Sequence, residues 1–364
     1  MSITALWLAD FRCFEEASFE PDPAGLTVLR GENGVGKTSV LEAVAWLATE
    51  RSFRGAGRDV LVRNGRPRAV LRADTAVAGR RVLLEAELPV DAPARVQLNR
   101  QPVRRRAELA EGLRVSVFSP DDLEIVQGGP AGRREYLDDA LVALHPRHEA
   151  LLDETDRILR QRGALLRQAG GRLHPEIAST LEVWDARLVE SGEALASARE
   201  ALVEQLDPLV RRAGTELAGA SEDTSLQLRY RRSWGGALAD ALERARDEDL
   251  RRQVTTVGPH RDDLELTLSG RPARTQASQG EQRTVALGLR LATHHLATTG
   301  RPEPPVLLLD DVFSELDHSR AAALVAQLPP GQVLLTTAVD PPDVVSPDRI
   351  VEVAGGRLVG TALS

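Results

Sequence analysis

The sequence has one cysteine (Cys13), one methionine and one lysine in 364 residues, and only 3% of it is aromatic. A single thiol excludes an intrachain disulfide. With the histidines showing no zinc-ligand spacing, it also excludes a zinc finger, and a reducing cytoplasm is the expected compartment. The first residues lack the basic-then-apolar pattern of a secretory leader. No uncharged apolar run is long enough to span a bilayer, so no membrane partner is expected. With aromatics scarce, Leu, Val and Ala must fill the interior, and an apolar share of 42% is enough for a real core. The net charge of −8 means that any nucleic-acid surface must be a local patch. No internal repeat is visible.

The near-absence of lysine is the most telling of these gaps. Arginine supplies all but one of the 46 basic side chains, and the exception, Lys37, lies in Gly31-Glu32-Asn33-Gly34-Val35-Gly36-Lys37-Thr38-Ser39. A compact ammonium fits between β- and γ-phosphates where a planar guanidinium is too wide. The string therefore reads as a nucleotide-binding P-loop: backbone amides wrap the phosphates, Lys37 neutralises their oxygens, and Thr38 offers a hydroxyl to Mg2+. The same scarcity removes two rival readings. His260-Arg261-Asp262 echoes a kinase catalytic loop, but the only lysine is already in the P-loop. The lysine-containing guanine-reading stretch of GTPases is likewise impossible.

Patterning predicts three regions. Residues 3–8 and 26–29 read as strands, with residues 39–47 as a helix after the P-loop. Residues 60–62, 69–77, 81–88, 96–98 and 113–118 read as further strands. From Asp121 to about Leu250 the chain is rich in Ala, Leu, Glu and Arg, with helical runs at 151–167 and 176–210 broken by Gly170, Gly171 and Pro175. That texture predicts a helical hairpin or small helical domain. Residues 225–230 read as a strand returning toward the first region. The last third reads as α/β: strands at 264–268, 305–309 and 332–336, helices at 280–296 and 317–328, and a closing hairpin at 349–353 and 357–359. His294 and His295 are read as helix surface.

Two further motifs join the P-loop. Val306-Leu307-Leu308-Leu309 is a buried strand delivering Asp310 and Asp311 to the edge where open α/β sheets hold nucleotides. Asp310 is read as the carboxylate of the Mg2+ shell, with Thr38. Asp311 is read as orienting or deprotonating water. Ser278-Gln279-Gly280-Glu281 opens a helix, with Ser278 as N-cap and Glu281 as its capping-box partner, and such a helix start can also hold a γ-phosphate.

In this order, and with Ser314-Glu315-Leu316-Asp317 following, the motifs resemble the head of an ABC-type ATPase of the SMC kind. The interval between P-loop and Ser278 suits a short-armed member. Within that class the chain resembles the RecF family of recombination mediators over its full length. The resemblance rests on the stretch from Pro120 to Asp138, on Gly258-Pro259-His260-Arg261-Asp262-Asp263, and on the run from Leu307 to Asp317. It implies an α/β fold: a P-loop ATPase head of mixed sheet plus antiparallel β-subdomain, with an inserted, mostly helical arm. The expected boundaries are 1–120 and 251–364 for the head and 121–250 for the arm. It also implies ATP and Mg2+ as cofactors and an ATP-dependent homodimer. In that dimer Ser278, Gln279, Gly280 and Glu281 meet the nucleotide of the other protomer, and Ser314 and Asp317 lie in the loop that crosses between protomers. The implied role is binding double-stranded or gapped DNA, including single-strand/duplex junctions. With RecR-like and RecO-like mediators the protein would help load a recombinase, in the nucleoid region of the cytoplasm. An SMC-like DNA-bridging role is the alternative.

Two departures stand out. Asp311 stands where that class usually carries Glu, and Thr336-Thr337-Ala338 lacks the histidine that senses γ-phosphate. Both loosen the hold on the catalytic water, so a weak, DNA-stimulated ATPase acting as a switch is expected.

For DNA, Arg51, Arg54, Arg58, Arg63, Arg66, Arg68 and Arg72 fall within one 22-residue span with only Asp59 against them. In an acidic chain this concentration is read as a phosphate-contacting face. Phe53 alone interleaves these arginines, so base stacking on a single strand is not the evident mode. Arg104, Arg105, Arg106, Arg133 and Arg134 are secondary candidates.

Overall fold

The computed structural model describes residues 1–172, 174–218, 225–328, 330–341 and 343–362. The chain begins with β1 (Ser2–Phe11), β2 (Phe14–Phe19) and β3 (Leu26–Arg30), and the P-loop then leads into α1 (Lys37–Thr49). A helical turn α2 (Arg58–Leu61) precedes β4 (Arg68–Val77), β5 (Arg80–Pro89), β6 (Arg95–Leu98), β7 (Gln101–Pro102) and β8 (Val115–Phe118). The middle comprises α3 (Leu123–Gln127), α4 (Pro130–Leu144), α5 (His148–Ala169), α6 (Pro175–Ala218), β9 (Leu226–Arg231) and α7 (Leu238–Arg252). It continues through β10 (Asp263–Leu268), β11 (Arg271–Pro272), α8 (Ala273–Gln276) and α9 (Gln279–Thr298). The chain closes with β12 (Val306–Asp310), α10 (His318–Ala326), β13 (Val333–Thr337), β14 (Arg349–Ala354) and β15 (Arg357–Ala362).

These elements gather into two compact units. One takes Met1–Asp122, Glu216–Glu222 and Leu289–Ser364; the other takes Leu123–Thr215 and Asp223–Gly288. The first unit holds two sheets. One is antiparallel, in the order β2-β1-β4-β5-β6-β7; the other runs β15-β14-β3-β13-β12-β8 and is parallel except for β15. The parallel strands read Leu-Thr-Val-Leu, Val-Leu-Leu-Leu and Val-Leu-Leu-Thr because both of their faces are covered, which leaves no polar face to alternate. Helix α1 is buried along almost its whole length, and its Val40, Leu41, Val44 and Leu47 share one core with Leu8 and Leu71 from the antiparallel sheet and Leu29, Leu308 and Leu334 from the parallel one.

The second unit sets α3 to α8 with a three-stranded antiparallel sheet, β11-β10-β9. On α5 the buried residues Ile158, Arg162, Leu166 and Ala169 recur at three- and four-residue spacing, which makes one inward stripe. Arg162 is fully buried in that stripe. It donates to Asp185 on α6 at 2.7 Å, to Asp249 on α7 at 2.7 Å and to Thr255 at 2.8 Å, so one guanidinium ties three helices. Among the described residues, no helix is long and apolar enough to cross a membrane.

Three local expectations are corrected. Residues 60–62 are not a strand: the amides of Val60 and Leu61 both reach the carbonyl of Gly57, closing the turn α2 despite the β-branched valines. The strand at 225–230 does not return to the first unit but pairs with β10 in the second. His294 is buried and bonded to Ser116 at 2.7 Å, while its neighbour His295 is exposed as expected.

Candidate nucleotide site

Strand β3 ends at Arg30, and the loop from Gly31 to Gly36 turns the chain into α1. Gly36 is left-handed at φ 111°, and a Cβ there would lie 2.5 Å from the Cys13 sulfur, so both its torsion and its surroundings require glycine. Lys37 is the first residue of α1, and its ammonium folds over the loop, donating to the carbonyls of Gly31 at 2.6 Å and Glu32 at 2.8 Å. Burial lowers its pKa, and the charges of Asp311 and Asp310 partly restore it. Thr38 donates its hydroxyl to Asp310 Oδ1 at 2.7 Å, joining two motifs 272 positions apart.

Asp310 closes β12 and is almost fully buried. Burial raises its pKa, opposed by hydrogen bonds from Thr38 and Thr336. Thr336 lies beside it on β13 and donates to the same Oδ1 at 2.8 Å. The Asp311 amide in turn donates to the Thr336 hydroxyl at 2.9 Å. A cavity of about 610 Å³ opens over this junction, lined by Asn33, Gly34, Gly36, Lys37, Thr38, Ser39 and Asp311 and, from farther along the chain, by Arg12, Cys13, Arg54, Asp59 and Asn64. Its lining offers the Thr38 and Ser39 hydroxyls and the Asp59 and Asp311 carboxylates, with the Asp310 carboxylate bonded to Thr38; these hard oxygens suit Mg2+ whose remaining ligands are water and phosphate oxygens. Among the described residues, no cluster of three or more His, Cys, Asp or Glu could hold a metal by itself.

Several of these positions have no local signal. Arg12 sits at φ 53° in the β1–β2 turn and forks onto the fully buried Glu42 of α1, with Nε and Nη2 each at 2.7 Å. The pair fastens the P-loop helix to the antiparallel sheet, and only the fold brings its members together. Thr336 precedes the site of the missing histidine, and nothing local in the sequence marks its hydroxyl as a partner of Asp310.

The other expected residues fall as follows. Ser278 and Glu281 form the capping box: the Ser278 amide donates to Glu281 Oε2 at 2.6 Å, and the Glu281 amide to Ser278 Oγ at 3.3 Å. Gln282, one residue on, is buried and donates to the carbonyls of Ala273 and Arg274, which pins the start of α9. Ser314 donates to the Asp311 carbonyl at 2.8 Å, and Asp317 caps α10 by accepting from the Arg320 amide at 2.9 Å.

The arginine span is less bare than its sequence. Arg54 lines the nucleotide-sized cavity. Arg63 pairs with Glu15 at 3.1 Å and Asp10 at 3.5 Å, and Arg66 with Asp10 at 3.2 Å and Glu15 at 3.7 Å. Arg68 pairs with Glu87, and Arg72 stacks over the Trp7 ring with Glu85 at 4.0 Å. The opposing acids come from β1, β2 and β5, outside the span. Arg51 also has partners of its own. Arg133 is committed inside the second unit, forked on Asp263 at 2.7 and 3.1 Å, and Arg134 donates to the Asp262 carbonyl. Asp262 also accepts from the Tyr230 hydroxyl and the Ser233 amide. His260 is half-buried with a ring nitrogen against the Thr255 carbonyl, its pKa pushed down to about 4 by desolvation. The Gly258–Asp263 string is therefore an internal polar joint.

The RecF/RecN/SMC N-terminal domain family matches residues 2–341. The chain is 41% identical to the DNA replication and repair protein RecF of Acidothermus cellulolyticus, over 94% of this chain and 95% of that one. It is 42% identical to the protein of the same name from Frankia alni, over 98% of both. Among solved structures, one of the recombination mediator protein RecF with ATP, in the RecFOR pathway, superposes with a TM-score of 0.90 at 27% identity, covering all of this chain and 98% of the other.

Proposed function

The chain belongs to the RecF family, with an ABC-type ATPase head of the RecF/SMC kind, and from that premise we propose that it is an ATP-dependent DNA-binding protein of recombinational repair and replication restart. The observation that carries this reading is the 2.7 Å bond between Thr38 and Asp310, which joins the P-loop to the acidic strand end beneath one cavity. Lys37, whose ammonium lies over the Gly31 and Glu32 carbonyls, would neutralise phosphate oxygens of bound ATP. The loop amides and the N-terminus of α1 hold the remaining phosphate charge. Thr38 and Asp310 would be the chain's own contributions to a Mg2+ shell, and the ion would supply neutralisation of phosphate charge. Asp311 lines the cavity and orients water toward the terminal phosphate. Its short side chain and the missing histidine favour slow turnover, below about 10 s⁻¹, the median for enzymes.

Ser278, Gln279, Gly280 and Glu281 serve the nucleotide of a second copy, with Ser314 and Asp317 at the crossing, so ATP drives homodimerisation. The dimer binds duplex or gapped DNA and hands the site to RecR-like and RecO-like mediators for recombinase loading. The deciding experiment measures affinity for gapped, duplex and single-stranded DNA with and without ATP, alongside solution mass, for the chain and for Lys37→Met. ATP-dependent dimerisation and DNA binding that Lys37→Met abolishes are expected. Dimers and DNA binding indifferent to ATP would overturn the switch.

A further inference from the structure

The strand that runs up to the missing γ-phosphate-sensing histidine is not chemically empty at its end, and we infer that Thr336 is a positioning residue that sets the geometry of both active-site aspartates. Parallel pairing of β12 with β13 places Thr336 directly beside Asp310. A hydroxyl carries one proton and two acceptor lone pairs. Thr336 spends the proton on Asp310 Oδ1 at 2.8 Å and accepts the Asp311 amide at 2.9 Å. Both bonds are buried or nearly so, where an unmade hydrogen bond costs most.

Each bond has a distinct consequence. Thr336 and Thr38 converge on the same oxygen of Asp310, which restrains the carboxylate and leaves neither bond resting on Oδ2. The Asp311 amide bond holds that residue in the left-handed region, at φ 49° and ψ 29°, a conformation an aspartate adopts only at some cost. That twist begins the helical turn 312–315 and keeps the Asp311 side chain among the residues lining the cavity with Lys37 and Thr38. One hydroxyl thus links the metal-shell carboxylate to the water-orienting one. The inference rests on the ATPase reading for its kinetic consequence but not for its geometry.

The test compares Thr336→Val, which keeps the shape and loses both bonds, with Thr336→Ser, which keeps the hydroxyl. In the nucleotide-free chain, amide hydrogen exchange of the segment from Val306 to Leu316 is expected to accelerate in T336V and to match the parent in T336S. With ATP and Mg2+, T336V is expected to lose turnover by about 10- to 100-fold, the scale of a misplaced catalytic group. Affinity for a fluorescent ATP analogue should stay within about threefold, and T336S should recover turnover. Unchanged exchange and unchanged turnover in T336V would overturn the inference. So would a loss of nucleotide affinity equal to the loss of turnover that T336S fails to repair, which would mark a merely structural role. A parent chain that binds no ATP would defeat the functional reading alone, because the exchange measurement needs no nucleotide.

Discussion

At the scale of single residues, buried ionisable groups make this chain pH-sensitive in a predictable direction. His294 is buried between α9 and β8, and burial pushes its pKa down to about 4, from the 6.5 of an exposed imidazole. Between those values the unfolded chain binds a proton that the folded chain refuses, so stability rises with pH through the window and is complete above about 6.5. Acidification from pH 7 to pH 5 should therefore cost on the order of 2 kcal/mol through this one side chain. His294→Gln removes the titration. Its melting temperature is expected to fall by less than the parent's between pH 7 and pH 5, even if it starts lower for want of a perfect bond to Ser116. Equal acid sensitivity in the two proteins would show that His294 is not a source of it. His260, also held near 4 by burial, acts in the same direction and keeps the variant from becoming indifferent to acid.

At the scale of elements, the start of α9 carries two roles that a single side chain can separate. Ser278 is an N-cap, and removing it with Ser278→Ala should cost about 1 kcal/mol of stability. Ser278→Asp keeps a capping oxygen and so keeps the helix start, but it brings a negative charge to the place where a second copy's phosphates are proposed to dock. Thermal stability close to the parent with no ATP-dependent dimer is the expected result for the aspartate variant. A dimer of undiminished affinity would remove Ser278 from the interface. The cap was legible in the sequence because its partners stand three residues apart. The P-loop, the acidic strand end and most strands were legible for the same reason: contiguous residues and local periodicity specify them. Strand β2 escaped notice because Glu15 and Glu16 are adjacent and break the alternation of Phe14, Ala17 and Phe19. Helical turn α2 is masked in the sequence because Val60-Leu61-Val62 has strand propensity, while Gly57, whose carbonyl starts the turn, lies outside that run. Arg12 with Glu42, and Thr336 with Asp310, could not be read at all, because sheet register and not sequence proximity sets who meets whom.

At the scale of the whole molecule, the balance of charge limits where the proposed DNA partner could bind. The chain carries 54 acidic against 46 basic side chains, so a duplex meets repulsion except over a local excess of arginine. Sequence alone placed that excess between Arg51 and Arg72, and the fold then set Asp10 and Glu15 against Arg63 and Arg66. These pairs do not disqualify the face. They are at least partly open to solvent, where such pairs are worth about 0–1 kcal/mol each, less than the counterion release that follows when a phosphate replaces a carboxylate. On the proposed DNA face the acids would hold the guanidiniums in place and lower affinity until a polyanion competes them away. Two opposite changes follow. Glu15→Gln frees Arg63 and Arg66 from one competitor and is expected to tighten duplex binding at moderate salt. Reversal of Arg63, Arg66 and Arg68 to Glu is expected to abolish binding while leaving ATP affinity intact. Any residual binding should lose up to about 2.7 from the slope of log affinity against log salt, about 0.9 for each lost phosphate contact. If instead the triple variant keeps its salt slope and Glu15→Gln changes nothing, the arginines serve only to bind the acids of β1, β2 and β5, and the DNA surface lies elsewhere on the chain.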